Sequence, residues 1–170
     1  QELIKKYRSM AEHPECDAAI EDIINESIVS SELESTVSIN LDKVEAADKI
    51  KKTITEEFNN VVSMLNFEEY GHDMFRSWYV DGRIYHHLVV NESNLKAGIQ
   101  EVRPIDATKI RKVKEVKYKK DPKTGAKIVD KTNDFYIYQE RAGANNGIKL
   151  TSDSVSYVTS GLLDTSKKRV

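Results

Sequence analysis

A single cysteine, Cys16, in 170 residues excludes an internal disulfide framework and any cluster of thiolate metal ligands. No apolar run approaches the length needed to cross a bilayer. Glycine is scarce, seven in all and scattered, and neither GxGxxG nor GxxxxGK[ST] occurs. Nucleotide chemistry on a phosphate-cradling loop therefore has no support. Ser160-Gly161 lacks the partner glycines of a GxSxG elbow, which removes the serine-hydrolase reading. Only four histidines are present, His13, His72, His86 and His87, and none stands at ligand spacing with a carboxylate or cysteine. Adjacent His86 and His87 on a strand would point to opposite faces. Cys16 sits between Glu15 and Asp17, a poor setting for a catalytic thiolate. No catalytic, cofactor or metal residue emerges.

What is present is charge. Charged residues make up 32% of the chain, above the usual quarter or so. The apolar fraction of 39% is still enough for a core, so the chain is not a disordered one. The net charge of −2 conceals a division. Residues 1–100 carry ten Lys/Arg against nineteen Asp/Glu, and residues 101–170 carry sixteen against nine. The chain is acidic, then basic. It begins at Gln1, has no leader of the signal-peptide kind, and ends on Lys167-Lys168-Arg169-Val170. Both ends read as cut points, so the expectation is a fragment of a longer intracellular protein or a processed product.

Apolar spacing predicts helices first. Residues 2–12 place Leu3, Ile4 and Tyr7 on one side, and Asp17 to Ser30 aligns Ile20, Ile23, Ile24 and Ile28 behind Pro14. Ser35 to Leu41 alternates and reads as a short strand. Asp42 to Glu45 has the form of a capping box. From Val44 through Ala47, Ile54, Phe58, Val61, Val62 and Leu65 one face stays apolar for about six turns, predicting a helix packed on a sheet. Asn66 breaks it, and Glu68 to Ser77 adds two turns. Trp78 to Val80, the Asp81-Gly82 pair and Arg83 to Val90 together read as a hairpin with a tight turn. Val113 to Lys119, Ala126 to Asp130, Phe135 to Tyr138 and Ser154 to Thr159 complete the strands, with Phe135 to Tyr138 central and buried on both sides. Ala142 to Gly147 is a polar loop. The expectation is an α+β fold: an acidic helical part, residues 1–79, packed on a mainly antiparallel β part, residues 80–170, in one domain.

Two constellations carry possible chemistry. Pro104 and Asp106, followed by Glu115 and Lys117, resemble the signature of a divalent-metal nuclease superfamily, whose carboxylates hold the metal while the lysine positions water. The pattern is short and degenerate, and the upstream acidic residue has no clear candidate. The second is a basic run: Lys109, Arg111, Lys112, Lys114, Lys117, Lys119 and Lys120 within twelve residues. Such a run neutralises phosphates in a nucleic-acid-binding module. Against that, alternation spreads the charge over both strand faces, and Tyr118 is the only aromatic available for stacking. A lysine-rich edge strand also prevents edge-to-edge aggregation. The partner-facing or structural reading is favoured, and the acidic first half leaves open a simpler role, acidic and basic faces of identical copies meeting head to tail in a ring.

The sequence also resembles a known family over nearly its whole length. The stretch Gly71 to Tyr85, GHDMFRSWYVDGRIY, is similar to the portal protein of tailed bacteriophages of the contractile-tailed, T-even-like type. Gly98 to Ile110, Met10 to Glu15 through Asn25-Glu26, and Asp153 to Leu162 match in the same order. The resemblance implies a structural, non-enzymatic protein without cofactors. It implies a homo-dodecameric ring at one capsid vertex, contacting major capsid protein and scaffold, terminase large subunit and neck or tail proteins. Double-stranded DNA would pass through the channel, with contacts outside this segment, and no small-molecule substrate is implied. This region would be the wing, the α+β outer domain, located in the virion and made in the host bacterial cytoplasm. Pro104 and Asp106 then become a strand end and a helix-start cap.

Overall fold

The computed structural model describes residues 1–29, 35–121, 125–140 and 147–161. The chain divides into two compact units. One joins Gln1–Lys5 to Arg83–Thr159; the other comprises Lys6–Gly82 with Ser160 and Gly161. Helices come first and strands afterwards, the expected α+β composition.

The helical unit holds most of α1 (Glu2–Ala11), then α2 (Pro14–Ser27), α3 (Asp48–Leu65) and α4 (Phe67–Asp81). Pro14 opens α2 at a position where its missing N–H is no loss, and Glu15 and Asp17 suit the positive end of the helix dipole. Ile24 is completely buried, while Ile23 stays 37% exposed. On the other flank of α2, Arg76 from α4 is ion-paired with both Asp17 and Glu21, and His72 Nε2 lies 3.2 Å from Glu21. Asn66 adopts a left-handed conformation (φ 45°, ψ 50°) and is the hinge between α3 and α4, as the break in the pattern predicted.

Three local expectations fail here. Ser35 to Leu41 forms no strand; it is irregular chain. The capping box at Asp42 caps nothing. Helix α3 starts at Asp48, and Asn40 captures the Asp42 N–H with its side-chain oxygen, 2.9 Å, in a local turn. Within its unit α3 contacts α4, and Ile50, Ile54 and Val61 on its apolar stripe remain exposed. The third correction concerns Asp81-Gly82. Trp78 to Val80 is the last turn of α4, and Gly82, at φ 70° and ψ 4°, is the left-handed residue that ends it. An Asp-Gly pair supplies positive φ to a hairpin turn and to a helix C-terminus alike. Asp81 is 3% exposed, the buried charged residue of the described chain, and Arg8 grips it through Nε at 2.9 Å and Nη2 at 2.6 Å.

The β unit contains two three-stranded antiparallel sheets. The first is ordered β2-β1-β6, from β1 (Arg83–Val90), β2 (Ile99–Ile105) and β6 (Val155–Thr159). The second is ordered β3-β4-β5, from β3 (Ile110–Lys120), β4 (Lys127–Tyr138) and β5 (Ile148–Thr151). One core serves both: Tyr85 and Val155 from the first sheet meet Ile110 and Tyr136 from the second, with Ala107 and Ile4 closing it. Tyr85 stacks on Tyr157 at 4.9 Å and meets Tyr136 edge-on at 6.1 Å. Residues predicted as two strands, 126–130 and 135–138, are one continuous β4. Phe135 to Tyr138 is central in its sheet as expected, although only Tyr136 in it is fully buried. The expected loop Ala142 to Gly147 lies, apart from Gly147, outside the described residues.

Candidate partner interface

The basic run falls on β3 and the turn before it. Lys109 closes that turn: its N–H reaches Asp106 O at 2.9 Å, and its carbonyl accepts the Gln139 N–H at 2.8 Å. Arg111, Lys112, Lys114, Lys117, Lys119 and Lys120 follow along the strand, all exposed. β3 is an edge strand, which fits the lysine device against sheet-to-sheet pairing.

Only the first part of β3 is supported. β5 pairs with β4 from Phe135 to Tyr138, so beyond that point β3 and β4 continue as a two-stranded ribbon. Such ribbons are marginal in water without a covering face. Register decides what the ribbon displays. Lys117 lies opposite Lys131, and Lys120 opposite Lys127, while Tyr118 faces Val129 and Lys119 faces Ile128. A bulge between Lys117 and Tyr118 shifts the pairing and leaves Asp130 outside the ladder. Tyr118, Ile128 and Val129 are 63%, 50% and 59% exposed. Like charges directly opposite one another destabilise a sheet, and two such pairs occur on its least supported part. Lys112 alone among the seven is ion-paired in the described chain: Asp134 Oδ2, 3.0 Å away, hydrogen-bonds it and holds its pKa above the ordinary lysine value.

The residues suggesting a nuclease separate. Glu115 and Lys117 share one face of β3, as alternation requires. Asp106, however, is locked into the β2–β3 turn, its Oδ1 accepting from the Thr108 N–H and hydroxyl, each at 2.7 Å. It caps that turn and starts no helix. Glu115 stands five strand residues beyond Ile110, about 17 Å of extended chain. Among the described residues no three His, Cys, Asp or Glu side chains gather as a metal site. His86, on the central strand β1, has its pKa lowered by burial, and Tyr85 and Tyr136 have theirs raised, burial being the main cause in each. Those tyrosines, with Arg83 and Lys112, border a cavity of about 280 Å³ inside the β unit. It offers neither a nucleophile–base pair nor a proton-transfer geometry.

The helical unit carries an apolar groove of about 330 Å³, bordered by Tyr7, Met10, Cys16, Ile20, Ile23 and Tyr79. One flank of α2 beside it bears Glu15, Asp22 and Glu26 in a row, all exposed and at helical spacing. Reading the sequence missed Lys127 and Lys131 on β4, because their importance comes from lying opposite other lysines. It also missed the groove. The alternation of Lys127 and Val129 signals the first of these lysines; the bulge at Asp130 hides the place of Lys131, and the groove has no signal in the sequence. Among the described residues, no helix is long and apolar enough to cross a membrane.

Comparison with known proteins gives a consistent result. The family profile described as Bacteriophage T4-like portal protein (Gp20) matches residues 1–170. A protein named Portal protein from Vibrio phage KVP40 is 34% identical over 174 residues, covering 96% of this chain and 33% of its own. Another protein of that name, from Salmonella phage ViI, is 38% identical over 112 residues, covering 65% of this chain and 20% of its own. The chain therefore spans about a third of the length of the first relative and a fifth of the second.

Proposed function

The chain belongs to the bacteriophage T4-like portal protein family, and from that premise we propose that it builds the wing-like outer domain of a portal ring. The family is structural rather than enzymatic, and portal proteins are virion components. The ring of this reading is dodecameric and sits at one capsid vertex. Double-stranded DNA enters and leaves through its channel, and terminase, capsid and neck or tail proteins dock on it. Synthesis takes place in the host bacterial cytoplasm. The single observation behind this reading is the family match over the entire chain. An α+β segment suits a scaffold that presents surfaces to its neighbours.

In this role Lys109, Arg111, Lys112, Lys114, Lys117, Lys119 and Lys120 serve protein contacts rather than grip the genome. Two features favour that assignment: their spread over both faces of β3, and the exposed apolar residues among them. Light scattering after size exclusion, with electron microscopy of the peak, tests the reading on the complete protein. A closed twelve-fold particle is expected. A strict monomer at every concentration refutes it.

A further inference from the structure

We propose that the β3–β4 ribbon of one copy seats in the groove beside α2 of the next copy, forming a head-to-tail contact between subunits. The inference rests on the ring reading above and identifies the surfaces that would join its members. Three observations carry it.

The ribbon is built at a loss for an isolated chain. Lys117–Lys131 and Lys120–Lys127 repel across the strands, and none of these four lysines is ion-paired among the described residues. An anionic partner turns that repulsion into attraction. Tyr118 and Val129, cross-strand neighbours and both exposed, share one face of the ribbon with Lys120 and Lys127, while Lys117 and Lys131 point to the other. The occupant must therefore offer apolar area and negative charge together. A phosphate backbone offers only the second.

The helical unit offers both. Its groove is lined by Met10, Ile20, Ile23 and Tyr79; Met10 is 56% exposed, Ile23 37% and Tyr79 41%. Glu15, Asp22 and Glu26 do not line it but stand in a row, at helical spacing, on the flank of α2 next to Cys16 and Ile23, none of them in an ion pair among the described residues. Asp17 and Glu21, on the opposite flank, are already engaged by Arg76. The acidic face left open is thus the one beside the groove.

Ribbon and groove are different surfaces of the same chain. Joining them between copies is heterologous, and repetition of such a contact closes a ring when the rotation permits. Charge complementarity fixes the polarity of each step, basic ribbon onto acidic flank.

Cys16 borders the groove and is exposed, so it serves as the reporter. The complete protein carrying Val129→Cys is treated with a short bis-maleimide and run on a denaturing gel. A ladder of covalent multimers is expected, lost when Cys16→Ser is added and reduced several-fold by Lys120→Glu with Lys127→Glu. Adding Glu15→Lys and Glu26→Lys to a second, separately purified population should restore cross-linking to the reversed ribbon. Lys131→Glu, on the other face, provides the control: it removes a cross-strand repulsion, so the protein should unfold no sooner than the parent and the ladder should persist. Rings without a ladder overturn this inference and leave the portal reading intact. Absence of both rings and ladder overturns the two together. A cross-link confined to the monomer band refutes a contact between copies. Equally decisive would be no ladder together with duplex-DNA retention that disappears in Lys120→Glu, which assigns the ribbon to nucleic acid.

Discussion

Replacing Arg8 by methionine leaves the Asp81 carboxylate, whose side chain is 4% exposed, without the guanidinium that grips it at both oxygens. Asp81 is also the last residue of α4, where unpaired carbonyls make the surroundings negative. Breaking a fully buried ion pair by deleting one partner costs about 3–5 kcal/mol. Arg8 is 40% exposed, so water already screens part of the attraction. The expected loss for Arg8→Met is accordingly below that range, about 2 kcal/mol. The complementary Asp81→Asn should cost only about 1 kcal/mol, because the freed guanidinium can turn to solvent and the amide keeps one acceptor. The double variant should then be less impaired than the sum, with a coupling of about 1 kcal/mol. The cycle subtracts any loss at Arg8 that does not involve Asp81. Urea unfolding followed by helical circular dichroism reads it; at a slope of about 2 kcal/mol/M, Arg8→Met moves the midpoint by about 1 M. Equal costs for the two single variants, or strict additivity, would refute the claim that a buried carboxylate is the vulnerable partner.

Ile24, with no exposed surface, should lose about 3 kcal/mol on truncation to alanine, measured by the same unfolding curves. Gly82→Ala places a side chain at φ 70° and should cost about 1 kcal/mol or more, whereas Gly82→Asn should cost less, since Asn tolerates the left-handed region. Burial lowers the pKa of His86, so its contribution is fully present above the ordinary histidine value of 6.5. It is lost as the pH falls through the depressed folded value, because the unfolded chain then binds the proton more readily. Melting curves from pH 7.5 downward should show the parent losing stability through this window more steeply than His86→Leu; parallel curves would contradict the assignment.

The resemblance in the segments around Trp78 and Pro104 was legible from residues alone, and so was the family. Local chemistry was legible wherever one reading of a residue existed. Pro14 opens a helix, Asn66 breaks one, and the alternation from Val113 makes a strand. It misled wherever a residue serves two structures. Asp81-Gly82 suits a hairpin and a helix end equally well, and the choice fell to the helix because Trp78 to Val80 continues the apolar spacing of α4 and Arg8 is placed to hold Asp81. Asp42 failed as a cap for a similar reason, its backbone N–H being taken by a nearer acceptor, Asn40.

The sequence by itself determined the α+β class, the division into acidic and basic halves and the position of the lysine run, since each depends on composition or short-range spacing. The candidate interface was different. That Lys117 faces Lys131 and Tyr118 faces Val129 depends on the register of two strands and on one bulge. That Cys16, Ile23 and Tyr79 border one groove depends on bringing together residues of two helices more than fifty positions apart in sequence. Pairing and packing bring distant residues together, so only the tertiary structure could place these residues on shared surfaces.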